Sequence, residues 1–211
     1  IAVNDAPVAT PVTLAAGNED TAYTITAATL LAGVTDIDGP TLSITSVSVA
    51  SGGGSIVNNG NGTWTYTPAA NYSAPVSFSY TASDGSLSSI STASLVISPV
   101  NDAPTATNLS TAETYTQDTP LNLVDIVVSD VDSATVTATL TLSNPAAGSL
   151  NTATSGAVTS TYNAATGVWT ASGAIADVNA LLAGLTLTPA ATFNGSFSIV
   201  TSVSDGVAPA I

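Results

Sequence analysis

Asp36-x-Asp38 and Asp130-x-Asp132 each place two carboxylates two residues apart. In extended backbone, side chains at i and i+2 point the same way, so each pair can approach one cation. Held together without a cation, the two charges repel. With no His, Cys or Met, the available donors are hard oxygens, which suit Ca²⁺ or Mg²⁺ rather than zinc or a redox metal. Ca²⁺ takes about six to eight oxygens, so two carboxylates need help. The helpers at hand are Asp84 with Asn4 and Asp5 in the first half, and Asp205 with Asn101 and Asp102 in the second. An Asp before Gly ordinarily caps a turn, and Asp84 or Asp205 alone reads that way. Recurrence of the whole set, in a chain with no basic partner, favours metal binding.

The charge balance sharpens this. Fourteen acidic residues and no Lys, Arg or His give a formal charge of −14. Each carboxylate must be solvated, hydrogen-bonded to neutral donors or neutralised by a bound cation. Nucleic acid and anionic membrane surfaces are excluded as partners, because nothing here can neutralise phosphate. No apolar run approaches the roughly 20 residues of a membrane span, and no signal peptide opens the sequence. General bases and activated nucleophiles are largely missing without His, Cys or Lys. A carboxylate pair could still hydrolyse glycosides, but pairs repeated along a chain suit architecture better than one catalytic cleft. Glu113, Asp125 and Asp177 have no matching acid in the first half and read as solvated surface acids, Asp177 favourably near a helix start.

The elements that must position these residues follow from an internal repeat. Val3-Asn4-Asp5-Ala6-Pro7 returns as Val100-Asn101-Asp102-Ala103-Pro104, 97 residues later, which predicts two tandem domains, 1–100 and 101–211. Pro104 fixes its own φ and keeps a sheet from running through the joint. In the first domain, alternation marks Tyr23 to Ile25, Leu42 to Val49 with a bulge near Ser46, Trp64 with Tyr66, Val76 to Tyr80, and Ala93 to Ile97. Ala28 to Leu31 reads as an apolar turn, and Gly39-Pro40 closes the acidic loop. About seven short strands with regular turns predict an antiparallel sandwich. In the second domain Asp118-Thr119 matches Asp20-Thr21, Trp169 matches Trp64, and Thr188-Pro189 matches Thr67-Pro68. That alignment predicts insertions on both sides of Trp169: a lengthened hairpin within 143–163, and one short helix over 175–182 ended by Gly184. Both tryptophans fall among alternating apolar residues and read as core. The second domain stops before its last strand, which predicts an exposed edge completed by a neighbouring chain, or a piece cut from a longer protein.

The Val-Asn-Asp-Ala-Pro joints, Asp-x-Asp-Gly loop, Gly-Thr-Trp-Thr-Tyr-Thr-Pro-Ala-Ala-Asn-Tyr stretch and Ser-Asp-Gly corners resemble bacterial cadherin-like tandem repeats of RTX-type surface adhesins and biofilm proteins. The resemblance covers nearly all of the first domain and most of the second. It implies an all-β fold of two Ig-like, cadherin-like Greek-key sandwiches joined through Ca²⁺. It places Asn101, Asp102, Asp130, Asp132 and Asp205 in a central site reached by Glu19, and Asn4, Asp5, Asp36, Asp38 and Asp84 in a half-site at the free end. Where animal cadherins add an Asp-x-Glu, this chain reads Ala70-Asn71-Tyr72-Ser73, so the expectation is one or two ions at the joint.

The function expected is a calcium-stiffened, non-enzymatic spacer of a bacterial cell-surface adhesin, extracellular, whose partners are adjacent repeats of the same chain. The alternatives are a carbohydrate-binding module using Tyr162 on the inserted face, with glycans as partners, and homophilic adhesion to like repeats on other cells.

Overall fold

The computed structural model describes residues 3–39 and 41–211, so the predicted role of Pro40 lies outside the described residues. Two compact units are present, the first ending at Val100 and the second spanning Asn101–Ile211.

In unit one, the leading segment contributes three two-residue strands, β1 (Val8–Ala9), β2 (Val12–Thr13) and β3 (Gly17–Asn18). Then come β4 (Tyr23–Thr26), helix α1 (Ala27–Leu31), β5 (Val34–Thr35), β6 (Ser43–Ser51), β7 (Gly54–Asn58), β8 (Thr63–Pro68), β9 (Val76–Ser83), β10 (Ser88–Leu95) and β11 (Ile97–Ser98). One layer has the order β2-β10-β9-β6 and the other β4-β8-β7, the two faces of an Ig-like sandwich. Pairing is antiparallel except where β2 and β3 run parallel to β10 and β11. The bulge expected near Ser46 is present between Ile44 and Ser46, and a second follows Val49. The stretch Ala28 to Leu31 is a helical turn rather than a plain one, because the Thr26 side chain accepts from Thr29 N–H and caps it. Trp64, Tyr66, Phe78 and Tyr80 fill the core at 3% exposure or less.

Unit two comprises β12 (Thr105–Ala106), β13 (Leu121–Asn122), β14 (Val128–Ser129), β15 (Thr135–Leu142), β16 (Gly148–Leu150), the hairpin β17 (Thr154–Ser155) with β18 (Val158–Thr159), β19 (Thr161–Asn163), β20 (Val168–Ala174), α2 (Ile175–Ala183), β21 (Thr186–Pro189) and β22 (Ile199–Ser204). Its layers are β13-β21-β16 and β19-β20-β15-β22. The predicted short helix is α2, which buries Val178, Leu181 and Leu182 and ends at Gly184.

Sheet register corrects the alignment of the two units. Gly54 pairs with Pro68, and Gly148 pairs with Pro189. The offset is therefore 94 on the incoming strand and 121 on the outgoing one, and all 27 extra residues enter as one insertion between β16 and β21. A Cβ on either glycine would meet the carbonyl of Thr67 or Thr188, which are themselves equivalent positions. Leu185, not Trp169, takes the place of Trp64: Trp169 lies on inserted strand β20, beside β15, where unit one has no strand. Matching by residue type misplaced it, since both are buried tryptophans. Unit two also lacks α1, and its offset falls from 98 at Leu121, whose partner Leu187 answers the Tyr23–Tyr66 pair, to 94 at Gly148.

Candidate metal centre

In unit one the start of the chain, the loop after β5 and the corner after β9 converge. Asn4 Nδ2 donates to Asp84 Oδ2 at 2.7 Å and, more weakly, to Asp5 O at 3.3 Å. Asp5 N–H donates to Asp38 Oδ2 at 2.7 Å, and Asp38 N–H donates to Asp36 Oδ1 at 2.8 Å. The other Asp84 oxygen, Oδ1, accepts from Ser86 and Leu87 N–H at 2.6 and 2.7 Å. Asp5 and Asp36 also line a shallow recess of about 510 Å³ with Ala6, Val8, Thr35 and Ile37.

Unit two builds the same network. Asn101 Nδ2 donates to Asp205 Oδ2 at 2.6 Å and to Asp102 O at 2.8 Å. Asp102 N–H donates to Asp132 Oδ2 at 2.7 Å. Asp130 Oδ1 accepts from Asp132 and Ser133 N–H at 2.9 and 2.7 Å. Asp205 Oδ1 accepts from Val207 and Ala208 N–H at 2.9 and 3.0 Å. The turn-capping role and the clustering role are thus both real: one oxygen of each corner Asp caps its turn while the other meets the Asn.

These donors set the acidity of the corner carboxylates. Asp84 is held below the ordinary value by Leu87 N–H first, then the Asn4 amide and Ser86 N–H. Asp205 is lowered by Val207 N–H first, then the Asn101 amide, with Ala208 N–H contributing less. Both therefore keep their charge to a lower pH than an ordinary Asp.

The first Asp of each acidic loop has one oxygen left over. Among the described residues, Asp36 Oδ2 and Asp130 Oδ2 are buried with no hydrogen-bond partner, at equivalent positions of the two loops. A desolvated, unpartnered charged oxygen is costly, and a cation is one way to satisfy it. Calcium fits this all-oxygen set of carboxylates and an amide carbonyl. Among the described residues, no three His, Cys, Asp or Glu side chains stand together as a metal-binding group.

Glu19 stands apart from the acidic cluster of its own unit. It is 2% exposed, and its Oε1 accepts from Val100 N–H at 2.7 Å. Three other predicted surface features differ. Glu113 accepts from Val124 N–H at 2.9 Å, and Asp177 accepts from Ser155 Oγ at 3.1 Å, so neither is merely solvated. Tyr162 is half-buried with its hydroxyl on Gly148 O, and burial raises its pKa, so it is no open stacking platform.

Two supporting groups escaped the sequence reading. Asn179 of α2 grips Val128 from both sides, accepting its N–H at 2.8 Å and donating to its O at 2.9 Å, two residues before Asp130. Asp20 and Asp118, both at positive φ, accept from Asn71 and Thr192 N–H, which are also at positive φ. The matched Asp-Thr pairs signalled the second; nothing linked Asn179 to Val128, 51 residues away.

Residues 3–98 match the family model described as Cadherin-like domain. Comparison with curated proteins finds no match. Among solved structures, the endo-fucoidan hydrolase MfFcnA4 from glycoside hydrolase family 107 is 19% identical over 95% of this chain and 27% of that one, with a TM-score of 0.33. The N-terminal eight Ig domains of Down Syndrome Cell Adhesion Molecule are 13% identical over 95% of this chain and 26% of that one, with a TM-score of 0.36. The C-terminal domain of the Streptococcus agalactiae AgI/II polypeptide BspA is 8% identical over 77% of this chain and 75% of that one, TM-score 0.30. The chain spans about a quarter of the length of the first two. All three superpositions are loose.

Proposed function

We propose that the chain is a non-catalytic, extracellular spacer from a bacterial surface adhesin, in which Ca²⁺ binds the acidic corner of each unit and stiffens the joint at Val100–Asn101. The observation that carries this is the twofold construction of one network in a chain of charge −14 without Lys, Arg or His: Asn4, Asp5, Asp36, Asp38 and Asp84 in one unit; Asn101, Asp102, Asp130, Asp132 and Asp205 in the other. Among the described residues, the first Asp of the acidic loop in each copy has one buried oxygen left unsatisfied. Glu19 enters through the chain itself, since it holds the N–H of Val100, the residue bonded to Asn101. Its assigned role is to add a carboxylate from unit one. Residues 3–98 matching a cadherin-like domain favours adhesive or structural work over catalysis. The natural partners of such a spacer are adjacent repeats. Sugar binding is disfavoured, because Trp64, Trp169 and Tyr162 are all engaged inside their units.

Calorimetric titration with Ca²⁺, paired with small-angle scattering in Ca²⁺ and in chelator, tests the reading. Expected are saturable binding, one or two ions at the joint, and a larger maximum dimension with Ca²⁺. No binding heat, with dimension and melting temperature indifferent to chelator, removes calcium from the account.

A further inference from the structure

The strand that leads into the acidic loop of unit two is β14, two residues long and paired with β12. Thr107 N–H donates to Val127 O at 3.0 Å, so the next pair along, Ala106 with Val128, is a narrow one that exchanges no bonds. Val128 therefore turns its N–H and its C=O away from β12. On that far side Asn179 of α2 takes both: its Oδ1 accepts the N–H at 2.8 Å, and its Nδ2 donates to the carbonyl at 2.9 Å. An amide side chain presents the same donor and acceptor that a neighbouring strand would. Val128 is 1% exposed, so losing that amide would leave both groups unpaired in the interior.

Asn179 belongs to a module that is itself tied together. Ser155 Oγ of the hairpin β17–β18 donates to Asp177 Oδ1 of α2 at 3.1 Å. Gly156, at the tip of that hairpin, sits so close that a Cβ would stand 2.5 Å from the Asp177 carboxylate oxygens. At the other end of the grip, Asp130 lies two residues beyond Val128, and its Oδ1 holds the N–H groups of Asp132 and Ser133. Direct contacts and short stretches of chain thus join the hairpin tip to the acidic loop through Ser155, Asp177, Asn179, Val128 and Asp130. The corner of unit one has no such attachment, because α2 arrives with the insertion.

We propose that Asn179 is a positioning residue for the cation site of unit two: by fixing the backbone at Val128 it sets the loop of Asp130 and Asp132, so that docking of α2 and binding of Ca²⁺ at this corner favour each other. The inference rests on the reading of that corner as a calcium site. Linkage makes the coupling reciprocal: if a docked α2 tightens calcium binding, bound calcium holds α2 in place to the same degree. The inserted module then carries the state of a site it does not line, and unit one has nothing equivalent. Removing a group that orients a metal ligand costs about tenfold to a hundredfold in affinity. Asn179 acts through backbone, one step further out, so the expected loss is about tenfold, the low end of that range.

Amide hydrogen exchange of the whole chain, followed by mass spectrometry of peptic fragments across a Ca²⁺ titration, gives each corner its own midpoint. Residues 128–133 report unit two, and residues 34–39 report unit one. Asn179→Ala should raise the midpoint of 128–133 about tenfold, leave that of 34–39 unchanged, and abolish the slowing that calcium brings to 175–183. In chelator, 128–133 should exchange faster in this variant than in the parent, a readout that needs no metal. Ala180→Gly weakens the same helix from its exposed side and should leave the midpoint of 128–133 in place. Equal midpoints in the parent and Asn179→Ala overturn the proposal. So does an equal rise for Ala180→Gly, which would make helix stability the cause rather than the amide. Where Asn179→Ala does not fold, the parent alone decides: α2 must slow in step with 128–133, and an α2 indifferent to calcium overturns the coupling. A parent in which both 128–133 and 34–39 ignore calcium removes the calcium reading itself and this inference with it, a result distinct from a failure at Asn179.

Discussion

Asp130→Asn should change the sign of its effect on stability with calcium. The Asp130 carboxylate splits its duties: Oδ1 accepts from Asp132 and Ser133 N–H, while Oδ2 is buried and unpartnered. Asparagine keeps the acceptor and replaces the stranded charged oxygen with a neutral amide. In chelator the substitution removes one negative charge from the acidic cluster, so it should cost no stability there. In calcium the substitution costs a ligand. Ca²⁺ at a hundred times its dissociation constant stabilises the native state by about 2.7 kcal/mol, and a site weakened tenfold keeps only about 1.4. Each kcal/mol moves the melting point of a domain near 100 residues by about 4–8 °C. The calcium-induced rise should thus shrink from about 10–20 °C to about half that, while the chelated variant melts at or above the parent. Trp169, fully buried in unit two, reports the transition in a Trp64→Phe background. Equal changes with and without calcium would refute the reasoning.

Glu19→Gln preserves the acceptor for Val100 N–H and removes a nearly fully buried charge, so unit one should melt no lower in chelator while calorimetric Ca²⁺ affinity at the joint falls. Lowered folded pKa values at Asp84 and Asp205 mean that their stabilisation is complete above the ordinary value of 3.8 and is lost as pH falls below it. Melting points measured from neutral pH into acid should therefore fall below that value, and Asp205→Asn should flatten the fall for unit two. Trp169→Ala should cost unit two about 3–5 kcal/mol in urea unfolding, by cavity formation and loss of the Nε1–H bond to Asn151 O at 3.0 Å, and leave unit one unaltered.

What the chain declared in advance was whatever depends on local pattern. Alternation at Trp64 and Tyr66 gave a strand face, Ser46 gave a bulge, and apolar spacing from Ile175 to Leu182 gave α2. The acidic residues could be grouped because Asn-Asp, Asp-x-Asp and the Ser-Asp-Gly corner recur in both units. The failures were of register and of distance. Trp169 was equated with Trp64 by type, whereas ladder pairing alone shows that Leu185 holds that place. The helical turn of α1 depends on one Thr26 hydroxyl, too small a signal against a four-residue apolar run. Asn179 acts on backbone far away in sequence, and no local pattern pairs it with Val128.

The abrupt change of offset between β16 and β21 has a practical meaning. Strand pairing resumes in step on both sides of the 27 extra residues, so the connection is an interchangeable part. Unit one has a tight hairpin at Asn58 to Thr63 in the same place, a ready socket for transplanting the longer module. Such a graft would carry its own brace. Asn179 clamps Val128 in the donor, and Val34, with α1 standing before it, is the residue it would meet in the recipient. The two units therefore read as alternative ways of shoring up one acidic corner, by a turn added ahead of it or by a helix brought in from elsewhere in the chain.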